Sequence, residues 1–231
     1  MSTPAWRVIL IVVVCIVTPG ASAADDLAAA LGSTLAKNAG HARQWHAEKD
    51  FKSVAQTAGG LSLLAQLMQA RSDDAAWQSA TKNVAAAIGE LQAAARGEDA
   101  TKCAAALDLL DKSIAAAQAL SPAGQPQAPP RSPGVRPLML AMDGIYADAK
   151  VALIAGNVAA AKNQARVLAE LGKLVSNSKM GEQWTTMAGG FSQAALTAAN
   201  SSETDPQRFR SVLRGVSQRC DACHEVRDAG R

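Results

Sequence analysis

The chain has 231 residues, of which 48% are hydrophobic, 19% are charged and only 3% are aromatic. This composition excludes a disordered or collagen-like chain, and it favours helices, because strands are built from β-branched and aromatic side chains. The formal charge of +3 falls to +2 without the first 23 residues, which contain one arginine. So weak a charge gives no reason to expect a nucleic acid or a charged membrane surface as partner.

The N-terminus has the three-part pattern of a secretory signal peptide. In order, it contains Arg7, the apolar run 8–17, Pro19-Gly20 and the small residues Ala21-Ser22-Ala23. We expect cleavage after Ala23 and export to the bacterial periplasm. A run of ten residues is too short to cross about 30 Å of hydrocarbon, so we expect a soluble protein and not an integral membrane protein.

The second half of the chain aligns with the first half without gaps. One constant displacement, called the repeat offset below, aligns Trp77 with Trp184, Leu31 with Leu138, Ala42 with Ala149 and Asp50 with Asn157. A period this long indicates a duplicated domain and not a solenoid unit. Residues 121–137 lie between the halves and hold six of the nine prolines, which predicts a semi-stiff linker.

Each half is predicted to contain four helices, because apolar residues recur at intervals of three and four. In the first half these helices span about 25–48, 51–70, 73–96 and 99–120. Capping side chains at 72–74, 98–99, Asn157 and Asp205 mark helix starts, and Pro206 suits a first helical turn. Short connections make neighbouring helices antiparallel. We therefore predict an all-α protein with two tandem up-down-up-down four-helix bundles, at 24–120 and 138–231.

One motif carries chemistry: Cys220-Asp221-Ala222-Cys223-His224 near the end of the last helix, a C-x-x-C-H haem attachment sequence. Positions i, i+3 and i+4 share one helix face, so both thiols and the imidazole can meet one haem edge. The thiols would form thioethers, and His224 would supply the axial nitrogen to iron. A redox-active C-x-x-C, a vicinal disulfide and half of a zinc site are the alternatives.

The repeat predicts one haem per chain. Positions 220, 223 and 224 align with Ser113, Ala116 and Ala117, none of which can attach haem or ligate its iron. The first half therefore has the helix without the ligands.

A C-x-x-C-H motif on the fourth helix of a bundle resembles the class II c-type cytochromes, the cytochrome c′ and cytochrome c556 group. The resemblance covers residues 136–231 and extends more weakly to the first half through the repeat. Arg136 and Gly156 are similar to an arginine and a helix-ending glycine of the family's first helix, and Trp184 with Phe191 to its third-helix aromatic pair. The resemblance implies a covalent haem c and a haem pocket that includes Arg136 and Trp184.

The resemblance does not decide which residue lies at the sixth coordination position of the iron. The spacing from Arg136 places Leu140 there, which implies a five-coordinate centre able to bind small gases such as NO or CO. A rotation of the helix by one residue would place Met139 there as a thioether ligand, and Met142 is a further candidate one turn on. All three residues also fit an ordinary core stripe.

We therefore expect a periplasmic monohaem cytochrome that carries single electrons to a redox partner protein, with gas binding as the alternative. The sequence shows no acid–base constellation, so we expect no enzymatic activity. A third interpretation makes the first half a docking module. His41 and His46 are interpreted as solvated residues with no charged partner, and Cys103 as an inert thiol. The oligomeric state is left open.

Overall fold

The computed structural model describes residues 23–128, 135–176 and 182–229, without the side chains of 23–25, 135, 136, 223, 224 and 226–229. Within these ranges the chain forms eight α-helices and no strand, which confirms the predicted all-α fold. The helices are α1 (Ala23–Ala47), α2 (Phe51–Gln69), α3 (Ala75–Arg96), α4 (Ala100–Gln118), α5 (Val135–Ile154), α6 (Val158–Ser176), α7 (Glu182–Ala199) and α8 (Pro206–Ala229). The predicted signal peptide lies outside the described residues, apart from the backbone of Ala23.

Capping side chains begin five of the described helices, four of them at predicted residues and the fifth at Asp50. Asp50, Asp74 and Asp99 each accept a hydrogen bond from the backbone N–H three residues later, at 3.0, 2.9 and 2.9 Å. Asn157 and Asp205 do the same before α6 and α8, at 2.9 and 2.8 Å. Each side chain satisfies one of the N–H groups that a helix start leaves without a partner.

Helices α1 and α5 end in the same way, at positions related by the repeat offset. Lys49 and Gly156 follow them with φ of 59° and 75°, in the left-handed region. The next residues, Asp50 and Asn157, donate to Trp45 O and Ala152 O at 2.9 and 2.8 Å, which closes a Schellman motif. Glu98 ends α3 in this way as well, at φ 53°.

The packing order separates the helices into two sets of four. Helix α1 packs against α2 and α4, and α3 packs against α2 and α4; α5 packs against α6 and α8, and α7 against α6 and α8. The two sets meet where α1 contacts α6 and α2 contacts α5. The buried apolar residues of all eight helices form one continuous core.

The described part of the linker, residues 121–128, lies along the turn between α2 and α3. Asp73 N donates to Gln125 O at 3.0 Å, and Gln127 N donates to Ala70 O at 2.9 Å. Residues 129–134 lie outside the described residues. Helix α5 begins at Val135, three residues before the expected start of the second bundle at 138. Pro137 falls in the first turn, where a missing N–H leaves no hydrogen bond unmade.

None of the helices in the described ranges is long and apolar enough to cross a membrane.

Candidate functional site

The side chain of Cys220 borders a pocket enclosed by the four C-terminal helices. The pocket holds about 430 Å³ of empty space, part of it open to solvent. Its lining is mostly apolar and comprises Met139, Met142, Asp143, Gly172, Val175, Met187, Ala188, Phe191, Arg219 and Cys220. An apolar lining with a few polar groups, here Asp143 and Arg219, is typical of sites that take a small molecule or cofactor.

Two of the three residues considered for the sixth iron position line this pocket. Met139 and Met142 lie three positions apart on α5 and so share one face of that helix. Met142 is buried and Met139 is half-buried. Both thioethers therefore border the same space as Cys220.

Leu140 lies elsewhere. Its side chain is 47% exposed and lines a groove between α5 and the N-terminal helices α1 and α2. One helical position turns a side chain by about 100°, which separates Leu140 from the stripe that carries Met139 and Met142. The structure thus places the two methionines, and not Leu140, beside the C-x-x-C-H helix.

A close contact between α6 and α7 forms the wall of the pocket opposite α5. A Cβ on Gly172 would lie 2.9 Å from Phe191 Cδ1 and 3.0 Å from Ser192 Cβ, so only glycine fits at this approach. The Ser192 hydroxyl donates to Ala169 O at 2.8 Å and ties the two helices together. This contact holds the buried ring of Phe191 against the pocket.

Helix α8 carries the whole C-x-x-C-H motif. The side chains of Cys223 and His224 lie outside the described residues, as does that of Arg136, whose backbone lies in the first turn of α5. Trp184 is half-buried at the start of α7 and is not part of the pocket lining. Among the described side chains, no group of three His, Cys, Asp or Glu residues is placed to hold a metal ion.

The equivalent positions in the first half are mostly buried. The repeat offset relates six of the pocket residues to positions that are each no more than 8% exposed; they are Leu35, Ala65, Met68, Thr81, Val84 and Ser113. Trp77 lies beside them at 1% exposure and donates from Nε1 to Met68 O at 2.9 Å. The first half therefore lacks the haem ligands, and the positions equivalent to these pocket residues are buried in its core.

One cluster of charges was missed by the sequence analysis. Asp148 is a buried residue of α5, and its Oδ1 lies 3.0 Å from Lys37 Nζ and 3.3 Å from His41 Nε2. The interpretation of His41 as a residue without a charged partner is therefore wrong. Lys37 and His41 lie four apart on one face of α1, but nothing in the sequence shows which face of α5 they meet.

His46 and Cys103 both make contacts that stabilise the fold. His46 Nε2 lies 2.9 Å from Ala100 O at the start of α4. Cys103 is fully buried, and desolvation, followed by the nearby charge of Asp99, raises the pKa of its thiol. A buried thiol with a raised pKa is unreactive, because the thiolate is the nucleophile.

Comparisons with protein families, with curated proteins and with solved structures found no match for this chain.

Proposed function

We propose that this chain is an exported monohaem c-type cytochrome that carries single electrons in the periplasm. The observation that carries the proposal is that Cys220, the first residue of a C-x-x-C-H motif, borders a largely apolar pocket that two methionine thioethers also line. Because the sequence shows no acid–base constellation, we propose no enzymatic activity.

The proposed architecture is a pair of tandem up-down-up-down four-helix bundles of the class II cytochrome type, at 24–120 and 138–231, with a proline-rich linker at 121–137. The helix bounds support the duplication: the repeat offset carries the bounds of α2, Phe51–Gln69, onto those of α6, Val158–Ser176. Within each set of four, helices that follow one another in the chain pack against each other, as expected for helices joined by short loops.

The donor set and the chemistry of the pocket lining fit a covalently held haem. Helix α8 carries the motif positions 220, 223 and 224 in succession, and Cys220 borders a mostly apolar space. Such a haem carries one electron as its iron changes between the ferrous and ferric states. Apolar surroundings such as Val175, Ala188 and Phe191 would limit the access of water.

We propose a distinct role for each of the residues that would hold the haem. Cys220 and Cys223 would form the two thioethers, and His224 would bind the iron from α8. Met139 or Met142 would supply the sixth ligand from α5, because both border the pocket. A methionine ligand together with the histidine would raise the reduction potential of the iron and suit electron transfer.

The alternative, a five-coordinate protein that binds NO or CO, depended on Leu140 at the sixth position. Leu140 lines a different groove and is 47% exposed. We therefore propose electron transfer as the function, with a sixth ligand from methionine.

A basic groove between α5 and α8 is the proposed docking surface for an acidic redox partner. It is lined by Tyr146, Lys150, Leu153, Ile154, Arg210, Leu213, Arg214 and Ser217. Its three charged residues are all positive, and Ile154 beside them is 78% exposed. Three cationic side chains beside an exposed apolar one suit the charge complementarity that steers electron-transfer partners together.

The experiment is to express the full chain in a host that matures c-type cytochromes and to record ferric and ferrous spectra with and without carbon monoxide. We expect a sharp low-spin ferrous α band that carbon monoxide does not change. Cell fractionation and N-terminal sequencing test export, with Ala24 expected as the first residue. A Cys220→Ala, Cys223→Ala variant is the control without attachment, and an α band in that variant would argue against thioether bonds.

A further inference from the structure

The contact between the two halves has approximate two-fold symmetry. The repeat makes α1 equivalent to α5 and α2 equivalent to α6. The contacts that join the halves are α1 with α6 and α2 with α5, so each contact becomes the other when the halves are exchanged. This reciprocity is the signature of a two-fold, isologous interface between like subunits.

His41 and Asp148 mark the axis of this symmetry. The repeat offset separates them, so they occupy the same position of the repeat, yet His41 Nε2 lies 3.3 Å from Asp148 Oδ1. In a two-fold interface, only residues on the axis contact their own equivalents. The pair therefore lies where identical subunits would bring one residue against a second copy of itself.

Contacts on the two sides of this axis agree with the same symmetry. Thr34 Oγ1 lies 3.2 Å from Gln164 Oε1, with both residues buried. The equivalent positions are Ala141 and Thr57, which line one groove on the other side of the axis. A Cβ on Gly60 would lie 3.6 Å from Ala141 Cβ, so the α2 and α5 backbones approach closely there.

The charges at the axis favour the pairing of unlike halves. Asp148 is 6% exposed in its side chain and lies against Lys37 and His41, both from the first half. If two second halves paired by the same surface, Asp148 would meet another Asp148, and two buried like charges oppose association. The first half has the basic residues and the second half has the acid.

We infer that the surface formed by α5 and α6 is a dimerisation surface, and that the first half of the same chain occupies it in place of a second copy. The haem-less half is thus a permanent subunit that covers this surface, and the charges at the axis select it over a second copy of the C-terminal half. The inference rests on the duplication and the contacts, and it is independent of haem.

A cut between the halves tests this. A protease recognition sequence replaces residues 129–134, and the folded full-length protein is then cleaved. We expect the two pieces to elute together in multi-angle light scattering at micromolar concentration, with the mass of one chain. Separate pieces, or a complex with two copies of the C-terminal piece, would overturn the inference.

Charge variants test the role of the axis. We expect Asp148→Lys to weaken the association of the cleaved pieces by more than about tenfold, because it places three basic groups together. The half-exposed Lys37→Glu should act in the same direction with less risk to folding. The double change Lys37→Asp with Asp148→Lys should recover part of the association.

Glu90→Lys, the same kind of charge reversal at an exposed site on α3, is the matched control and should leave the association unchanged. Circular dichroism of each uncut variant shows whether it is folded. If Asp148→Lys and Lys37→Glu weaken the association no more than Glu90→Lys does, the assignment of the axis charges is wrong.

Discussion

Met142 on α5 and Cys220 on α8 line one pocket, although they lie on the first and the last helix of the C-terminal half. The antiparallel packing of α5 and α8 brings the start of one helix beside the end of the other. A thioether therefore stands across an apolar space from the helix with the C-x-x-C-H motif.

The first prediction concerns the sixth ligand. One of the two variants Met139→Leu and Met142→Leu should convert the ferrous spectrum from low to high spin and allow carbon monoxide to bind. Leucine keeps the volume of methionine but lacks the sulfur that would bind the iron. Absorption spectra of the purified holoprotein measure this. Leu140→Ala is the control outside the pocket and should leave the spectrum unchanged. A spectral change in Leu140→Ala alone would contradict the placement.

The second prediction concerns thiols. The chain after Ala23 has three cysteines, and thioether formation would consume Cys220 and Cys223. Cys103 is fully buried, and burial raises its thiol pKa. The folded holoprotein should therefore react with no thiol reagent, and the denatured holoprotein should titrate a single thiol. Three thiols after denaturation would show that haem is not covalently attached.

The third prediction concerns helix ends. Lys49 adopts φ 59°, where its repeat equivalent is Gly156 at φ 75°. Lys49→Gly should raise the free energy of unfolding by about 0.5–1 kcal/mol, because glycine has no Cβ to strain this conformation. Lys112→Gly, in the exposed interior of α4, should lower it by about 1 kcal/mol. Denaturant unfolding measures both, and a loss of stability in Lys49→Gly would contradict the Schellman end of α1.

The fourth prediction concerns the stability of the fold at low pH. Hydrogen bonds from Ser53 hold the pKa of Asp50 below its ordinary value of 3.8, and a hydrogen bond from Lys102 N–H does the same for Asp99. The unfolded chain then binds these protons at higher pH than the folded chain, so stability falls as pH drops from above 3.8 through the folded-state pKa values.

The variant Asp50→Asn with Asp99→Asn separates capping from titration, since asparagine caps helices as well as aspartate does but carries no charge. Its free energy of unfolding should change less between about pH 5 and pH 2 than that of the unaltered chain. Glu90→Gln removes an exposed carboxylate without a capping role and is the control. If the free energy of unfolding had the same pH dependence in all three proteins, the carboxylates of Asp50 and Asp99 would not be its cause.

Most of the helical fold could be predicted from local signals. Asp74 and Asp99 fix the starts of α3 and α4 through their own side chains, and each predicted helix bound of the first half lies within two residues of the observed one. The start of α5 was expected later, because Pro137 is a helix breaker in the interior and harmless in a first turn.

The site was less predictable, because it depends on helix rotation. The spacing from Arg136 favoured Leu140, whereas packing turns Met139 and Met142 toward Cys220. A single-residue offset decides which side chain lines a pocket, and sequence spacing does not fix that offset. The contact of His41 with Asp148 was likewise invisible, since it depends on how two halves meet.

The central claim is that Cys220, Cys223 and His224 hold one covalent haem. The most direct test is the intact mass of the full chain exported from a host that matures c-type cytochromes, combined with a pyridine haemochrome assay. We predict the mass of the chain from Ala24 plus a single haem, with one haem per chain in the assay. The mass of the bare polypeptide without haem absorption, or two haems per chain, would contradict the account.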